Sequence, residues 1–187
     1  MRQHILPAIR LTIVTILFFC GIYTILILAI AQAAPAKGKG EPVTFNGKVV
    51  GFALIGQNFS DDKYFWSRPS AAGYNAAGSA GSNKGPTNPD YLQQVKDRID
   101  TFLVHNPGVK KEDIPSDLVT ASGSGLDPDI SPAGAKVQVK RIAAVRKIDE
   151  AKLMTLVDQH TDAPFLGIFG PKKVNVLRLN IALDELK

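Results

Sequence analysis

Apolar and polar positions follow one another along this chain with several different periods. The first stretch, Leu11 to Ala36, carries no charged side chain and is almost wholly apolar as far as Ala31. About 20 such residues in a helix cross the hydrocarbon core of a bilayer. The run therefore predicts a spanning helix over residues 11–33, preceded by a short tail, residues 1–10. Ala31-Gln32-Ala33 has the small-x-small form of a signal cleavage site. The apolar run before it is longer than the roughly 7 to 15 residues of a signal-peptide core, so the segment reads as a retained anchor. Residues 34–42, with Pro35, Gly38, Gly40 and Pro42, have no period and read as a linker.

From Val43 the period shortens to that of strands. Val43-Thr44-Phe45 and Lys48 to Ile55 flank Asn46-Gly47, which predicts a hairpin closed by a type I′ turn, with the nearly all-apolar second strand central in its sheet. Residues 57–88 then lose all periodicity and are rich in Gly, Ala, Ser and Asn. Loops of this length are usually functional or disordered, and Tyr64-Phe65-Trp66 favours order because it can anchor the loop to a core.

Helical spacing follows. Asn88 and Pro89 form a cap and first turn, and Tyr91, Leu92, Val95, Ile99, Phe102 and Leu103 mark one face as far as the stop at Asn106-Pro107-Gly108. A second unpatterned loop runs over residues 114–130. Ser131-Pro132 opens a further helix with Ala135, Val139, Ile142 and Ala143 on one face, and Asp149 caps a third with Leu153, Leu156, Val157 and His160. The last segment, Leu177 to Asp184, alternates apolar with mostly polar residues, predicting a half-buried strand with a bulge near Val176. Strands at both ends with helices between predict one α+β domain over residues 43–187, its terminal strands sharing a sheet.

Charge orients this picture. Arg2 and Arg10 precede the apolar run on a short tail, which the positive-inside rule places in the cytoplasm, so the domain is expected to be extracytoplasmic. Removing those two from the 22 basic residues leaves 20 against 17 acidic ones, a surplus too small to indicate nucleic acid. At about 100° per residue, Leu17, Cys20, Gly21, Thr24, Leu28 and Ala31 share one arc of the helix. Small residues there let a partner helix approach closely, and Thr24 is placed to hydrogen-bond across the contact.

Candidate chemistry is sparse. Cys20, the single cysteine, lies in the membrane run, which excludes a disulfide framework and a cysteine-based zinc site. His4, His105 and His160 do not form a metal-binding spacing, and Asp61, Asp62, Asp127 and Asp129 read as solvated loop carboxylates rather than a cation site. In the Gly78–Thr87 segment Lys84 is followed by Gly85-Pro86 rather than by Ser or Thr opening a helix, so it is not a phosphate loop. Ser122-Gly123-Ser124-Gly125 lacks the spacing of a nucleophile elbow. No catalytic residue and no metal ligand is assigned.

The two loops themselves resemble a known family. Tyr64-Phe65, Arg68-Pro69-Ser70-Ala71, Tyr74-Asn75, Gly81-Ser82-Asn83, Asn88-Pro89, Leu118 to Pro128 and Val174-Asn175-Val176-Leu177 resemble the C subunit of the bacterial Kdp potassium-transporting ATPase over the whole chain. Asp129 stands where that family commonly has His, and Asp162 where it commonly has Glu. The resemblance implies a non-catalytic, single-pass subunit of the inner (plasma) membrane. It also implies a channel-like K⁺-binding partner and a P-type ATPase partner, in a complex that uses ATP, Mg²⁺ and K⁺. Arg68, Asn75, Ser82, Asn83, Asn88, Ser122, Gly123, Ser124, Gly125 and Asp127 are then the candidate functional loop residues. The family's C subunit is described as needed for assembly, and as a catalytic chaperone that raises the ATPase subunit's affinity for ATP. The first role predicts a structural subunit covering or steadying the K⁺ entrance; the second predicts nucleotide contact through the Ser/Gly loop. An anchored envelope-binding or hydrolytic domain, working without partners, is the third expectation.

Overall fold

The computed structural model describes residues 2–186 and divides at Pro42/Val43 into two compact units. In the first, α1 (Arg2–Ile16), a π-helical segment (Leu17–Tyr23) and α2 (Thr24–Gln32) follow one another without a break. Gln3–Gln32 is one helix long and apolar enough to cross a membrane. A π turn bonds i to i+5 and so advances less per residue than an α turn. Leu17, Cys20 and Gly21 are therefore rotated relative to Thr24, Leu28 and Ala31, and the expected arc bends instead of running straight. The Thr24 hydroxyl donates to the Phe19 carbonyl, five residues back, at 3.2 Å. Its proton is thus engaged within its own helix, and its lone pairs remain for a neighbour.

The second unit opens with β1 (Pro42–Phe45) and β2 (Lys48–Phe52), joined through Asn46 and Gly47 at φ 49° and 75°. Both values suit the type I′ turn expected of Asn-Gly. The expectation that β2 is central fails: the sheet has two strands only, and Val49, Val50 and Phe52 are 60%, 39% and 42% exposed. Among the described residues no further strand covers β2. Residues expected to form the terminal strand are instead α7 (Val176–Glu185), so the chain ends share no sheet.

The reason lies in an ambiguity of period. Leu177, Leu179, Ile181 and Leu183 alternate, but Val176, Leu179, Asn180 and Leu183 also fall at the 3- and 4-residue spacing of a helix face, and all four of these are buried. Asn175 decides between them: its side chain accepts from the Arg178 amide at 3.1 Å, a helix N-cap.

The remaining helices start where their caps predict. Asn88 caps α3 (Pro89–His105) through the Tyr91 amide, and Asp149 caps α6 (Glu150–Gln159). Ser131 caps α4 (Pro132–Lys136), and the helix expected there breaks near Gln138 before resuming as α5 (Val139–Arg146). Three short strands, β3 (Asp129–Ile130), β4 (Thr161–Asp162) and β5 (Lys173–Asn175), pair antiparallel with β5 in the centre. Val174 of β5, Ile142, Leu153, Val157, Leu179 and Leu183 meet in one core with Phe65. Phe65 comes from the unpatterned loop, which the aromatic cluster does anchor.

Candidate functional site

A loop of 32 residues, 57–88, that packs against a core must find partners for its backbone amides and carbonyls. Here side chains supply them. Asn180 brackets Phe65, accepting from its N–H at 2.8 Å and donating to its carbonyl at 3.0 Å. Gln138 accepts from the Trp66 N–H at 2.8 Å while its own amide donates to the Gly134 carbonyl at 2.9 Å. Arg141 donates to the Tyr64 carbonyl at 2.9 Å and to Gln138 at 2.8 Å, and its guanidinium lies 4.5 Å from the Trp66 ring centre. Asp62 faces the same guanidinium at 3.3 Å and His105, the last residue of α3, at 2.8 Å. Burial pushes the Arg141 guanidinium down to about 10, and Asp62 only partly offsets this. Gln138, Arg141 and Asn180 are positions that the sequence reading missed. The available signal was a polar residue standing at a buried helical phase beside Val139, Ile142 and Leu179.

Held in this way, residues 67–85 reach the second loop and interlock with it. Arg68 forms an ion pair with Asp127 at 3.0 Å and donates to the Thr120 carbonyl at 3.3 Å. The Ser70 hydroxyl donates to the Gly125 carbonyl at 2.6 Å and accepts the amides of Ala72 and Tyr74. The Tyr74 hydroxyl donates to the Arg68 carbonyl at 2.6 Å, and burial raises its pKa. Ser79 donates to the Ser124 carbonyl at 2.9 Å. Gly125 sits at φ +68°, and a Cβ there would lie 2.8 Å from both the Ala72 methyl and the Ala80 carbonyl oxygen. Only glycine fits both the angle and the gap.

Of the predicted loop residues, Arg68, Ser122, Ser124, Gly125 and Asp127 come together in this joint, with Gly123 at its exposed apex. The Ser122 and Ser124 hydroxyls accept the amides of Gly125 at 2.9 Å and Leu126 at 3.1 Å, within their own loop. A phosphate cradle needs such amides directed outward at an anion. Asn75 closes its own turn through the Ala77 amide, and Asn88 caps α3, so both serve local structure. Ser82 and Asn83 are exposed, Asn83 at φ 53°.

The four acidic residues weighed as a cation site each have a cationic neighbour: Asp61 has Lys63, Asp62 has Arg141, Asp127 has Arg68, and Asp129 has Lys173 at 2.7 Å. The hydrogen bond that Lys173 donates to Asp129 raises the lysine pKa. A cavity of about 380 Å³ opens beside the joint, lined by Asp117, Asp127 and Asp129 together with Arg68, Lys172 and Lys173. Asp117 is occupied in accepting from the Ser131 amide and hydroxyl. Among the described residues no group of His, Cys, Asp or Glu is arranged to hold a metal ion.

The two interlocked loops are the segments that carry the resemblance noted above, and comparison with known proteins gives the same family. Residues 5–185 match the family described as KdpC, the c chain of K⁺-transporting ATPases. A potassium-transporting ATPase KdpC subunit of Flavobacterium johnsoniae is 56% identical over 185 residues, covering 99% of this chain and 100% of that protein. The subunit of the same name from Bacteroides fragilis is 55% identical over 188 residues, covering 99% of this chain and 98% of that one. One from Geobacter metallireducens is 50% identical over 189 residues, with 98% of each covered. With the match running from the membrane helix to the end of α7, the chain belongs to the KdpC family, the c subunits of potassium-transporting ATPases.

Proposed function

We propose that this chain is a structural subunit of a potassium-importing ATPase complex, required for assembly of its partners. The bent small-residue arc of the membrane helix packs against the channel-like subunit. The domain, placed outside the cytoplasm by Arg2 and Arg10, covers or steadies the entrance through which K⁺ arrives. The P-type ATPase subunit hydrolyses the nucleotide, and ATP, Mg²⁺ and K⁺ belong to the complex rather than to sites on this chain.

One observation carries this reading: the Ser/Gly loop spends the Gly125 and Leu126 amides on its own Ser122 and Ser124 hydroxyls and turns its Ser124 and Gly125 carbonyls to Ser79 and Ser70 of the joint, not towards a ligand. Such an arrangement makes a preorganised surface, which lowers the ordering cost of docking a partner. Direct nucleotide contact would need the Ser122–Gly125 loop to open first, and would need the domain on the cytoplasmic side.

Truncation after Ala36 in an otherwise intact complex tests the proposal. The expected result is loss of assembly or of high-affinity K⁺ uptake. Normal assembly with full K⁺ affinity would refute it, as would micromolar binding of a labelled ATP analogue by the purified full-length chain.

A further inference from the structure

The connection between β4 and β5 ends in a tip, Phe165-Leu166-Gly167-Ile168-Phe169, whose four large side chains are 72%, 74%, 76% and 60% exposed in the order Phe165, Leu166, Ile168, Phe169. An apolar cluster this exposed marks an interaction site. The tip is also built to leave water. The amides of Phe165 and Phe169 each bond to the other residue's carbonyl at 2.9 Å, Gly167 donates to the Pro164 carbonyl at 2.8 Å, and Ile168 donates to the Phe165 carbonyl at 3.2 Å. Four of the five tip amides, Phe165, Gly167, Ile168 and Phe169, are thus satisfied internally, which lowers the cost of entering a medium that offers no hydrogen bonds. Leu166 and Gly167, at φ 53° and 77°, form the tight turn that holds the apolar side chains outward.

Charge and connectivity identify the medium. From Ala163 to Lys172 there is no acidic residue, and Lys172 stands at the base of the tip next to Lys173, which is paired with Asp129 and lies opposite Asp162 in the sheet. An apolar apex with a lysine, Lys172, at its base suits interfacial membrane binding, in which Lys is drawn to lipid phosphates while apolar side chains enter the acyl boundary. The same chain carries a helix apolar enough to span a bilayer, ending at Gln32, only nine residues (33–41) before β1. A tether that short keeps the domain at high effective concentration beside lipid, so weak insertion suffices.

We propose that the Phe165–Phe169 tip inserts into the interface of the bilayer in which the chain is anchored, giving the domain a second membrane contact. This is independent of the assembly role: the tip can dip into lipid whether or not the domain covers a channel entrance. Removing one large apolar side chain from the tip weakens its partitioning by roughly tenfold.

Cys20 is the only cysteine, so Cys20→Ala combined with Leu166→Cys gives a single site for an environment-sensitive NBD label. The full-length chain is placed in vesicles containing anionic lipid and doxyl-labelled quencher, with a label at Glu112→Cys as the solvent reference. The expected result is a blue-shifted signal at residue 166 that doxyl lipid quenches, a water-like unquenched signal at 112, and roughly tenfold weaker insertion on adding Phe169→Ser. Ile168→Cys serves as a second reporter should Leu166→Cys disturb the turn. A water-like, unquenched label at both 166 and 168 overturns the proposal. So does a label in the assembled complex that is dry but beyond the reach of doxyl lipid, the result expected if a protein subunit occupies the tip.

Discussion

The Ser122–Gly125 run contains two glycines whose substitution separates a structural joint from a ligand cradle. At Gly125 the backbone lies at φ +68°, and a Cβ would approach the Ala72 methyl and the Ala80 carbonyl oxygen to 2.8 Å each. The left-handed conformation costs alanine about 1 to 2 kcal/mol. Relieving the two overlaps requires backbone on both loops to move, at a further cost of about 1 to 3 kcal/mol. Gly125→Ala is therefore expected to destabilise the protein by about 2 to 5 kcal/mol, a large share of the roughly 5 to 15 kcal/mol that holds a domain folded. At Gly123, two residues earlier, φ is not in the left-handed region and an added Cβ meets nothing within 4 Å. Gly123→Ala is expected to be neutral, or stabilising by up to about 1 kcal/mol through a less flexible unfolded chain. Urea unfolding of the full-length protein in detergent, followed by tryptophan fluorescence from Trp66, measures both. The reasoning fails if Gly125→Ala changes stability by less than about 0.5 kcal/mol, or if the two variants lose stability equally. Binding carries its own contrast. A phosphate cradle at the exposed apex would make Gly123→Ala the damaging change for nucleotide affinity, whereas a joint makes Gly125→Ala the damaging change for complex assembly.

Two further outcomes follow from side chains that complete the fold. Asn180→Leu leaves both the N–H and the carbonyl of Phe65 without their bonds in the core, so a loss of about 2 to 4 kcal/mol is expected in chemical denaturation, accompanied by faster amide exchange at Phe65. The Lys173–Asp129 bond sets a pH dependence. A lysine pKa raised above 10.5 in the folded state stabilises fully below that value, and the contribution is lost as pH rises through the folded pKa. Thermal unfolding of the native chain should accordingly fall faster with alkaline pH than that of Lys173→Met.

Local signals were legible wherever a capping residue agreed with a single period. Asn88, Ser131 and Asp149 each accept backbone amides at the helix starts they predict, and Asn46-Gly47 turns the hairpin as its backbone preferences require. The C-terminal segment misled because its apolar residues satisfy periods of 2 and 3.6 together, and the cap that resolves them, Asn175, lies before the alternating run. That one reversal explains the exposed β2 as well, since a missing terminal strand leaves it without a second neighbour. In the candidate site, the residues of the two loops were legible, but their connection was not. Arg68 and Asp127 are 59 positions apart, and Ser70 meets a carbonyl 55 positions away. Periodicity carries no information about contacts at such separations.

The buried polar residues explain how so long a loop stays ordered without secondary structure of its own. Tyr64-Phe65-Trp66 is bonded on its backbone much as a strand would be, but the partners are the side chains of Arg141 and Asn180 on helices and of Gln138 in the turn between α4 and α5. A strand partner can slip by two residues and keep its ladder. Here each side chain offers fixed groups at one position, so the register is unique, and a shift of the loop would leave Asn180 buried without its partners and the Trp66 amide without its acceptor, at about 1 to 3 kcal/mol each. Fixing residues 64–66 in turn fixes Arg68, Ser70 and Tyr74 at the joint. A rigid joint is what a docking surface requires and what a loop that must open around a nucleotide would lack. The hydrogen bonds of Asn180 and Gln138, far from any candidate ligand, thus bear on function as directly as the Ser/Gly loop itself.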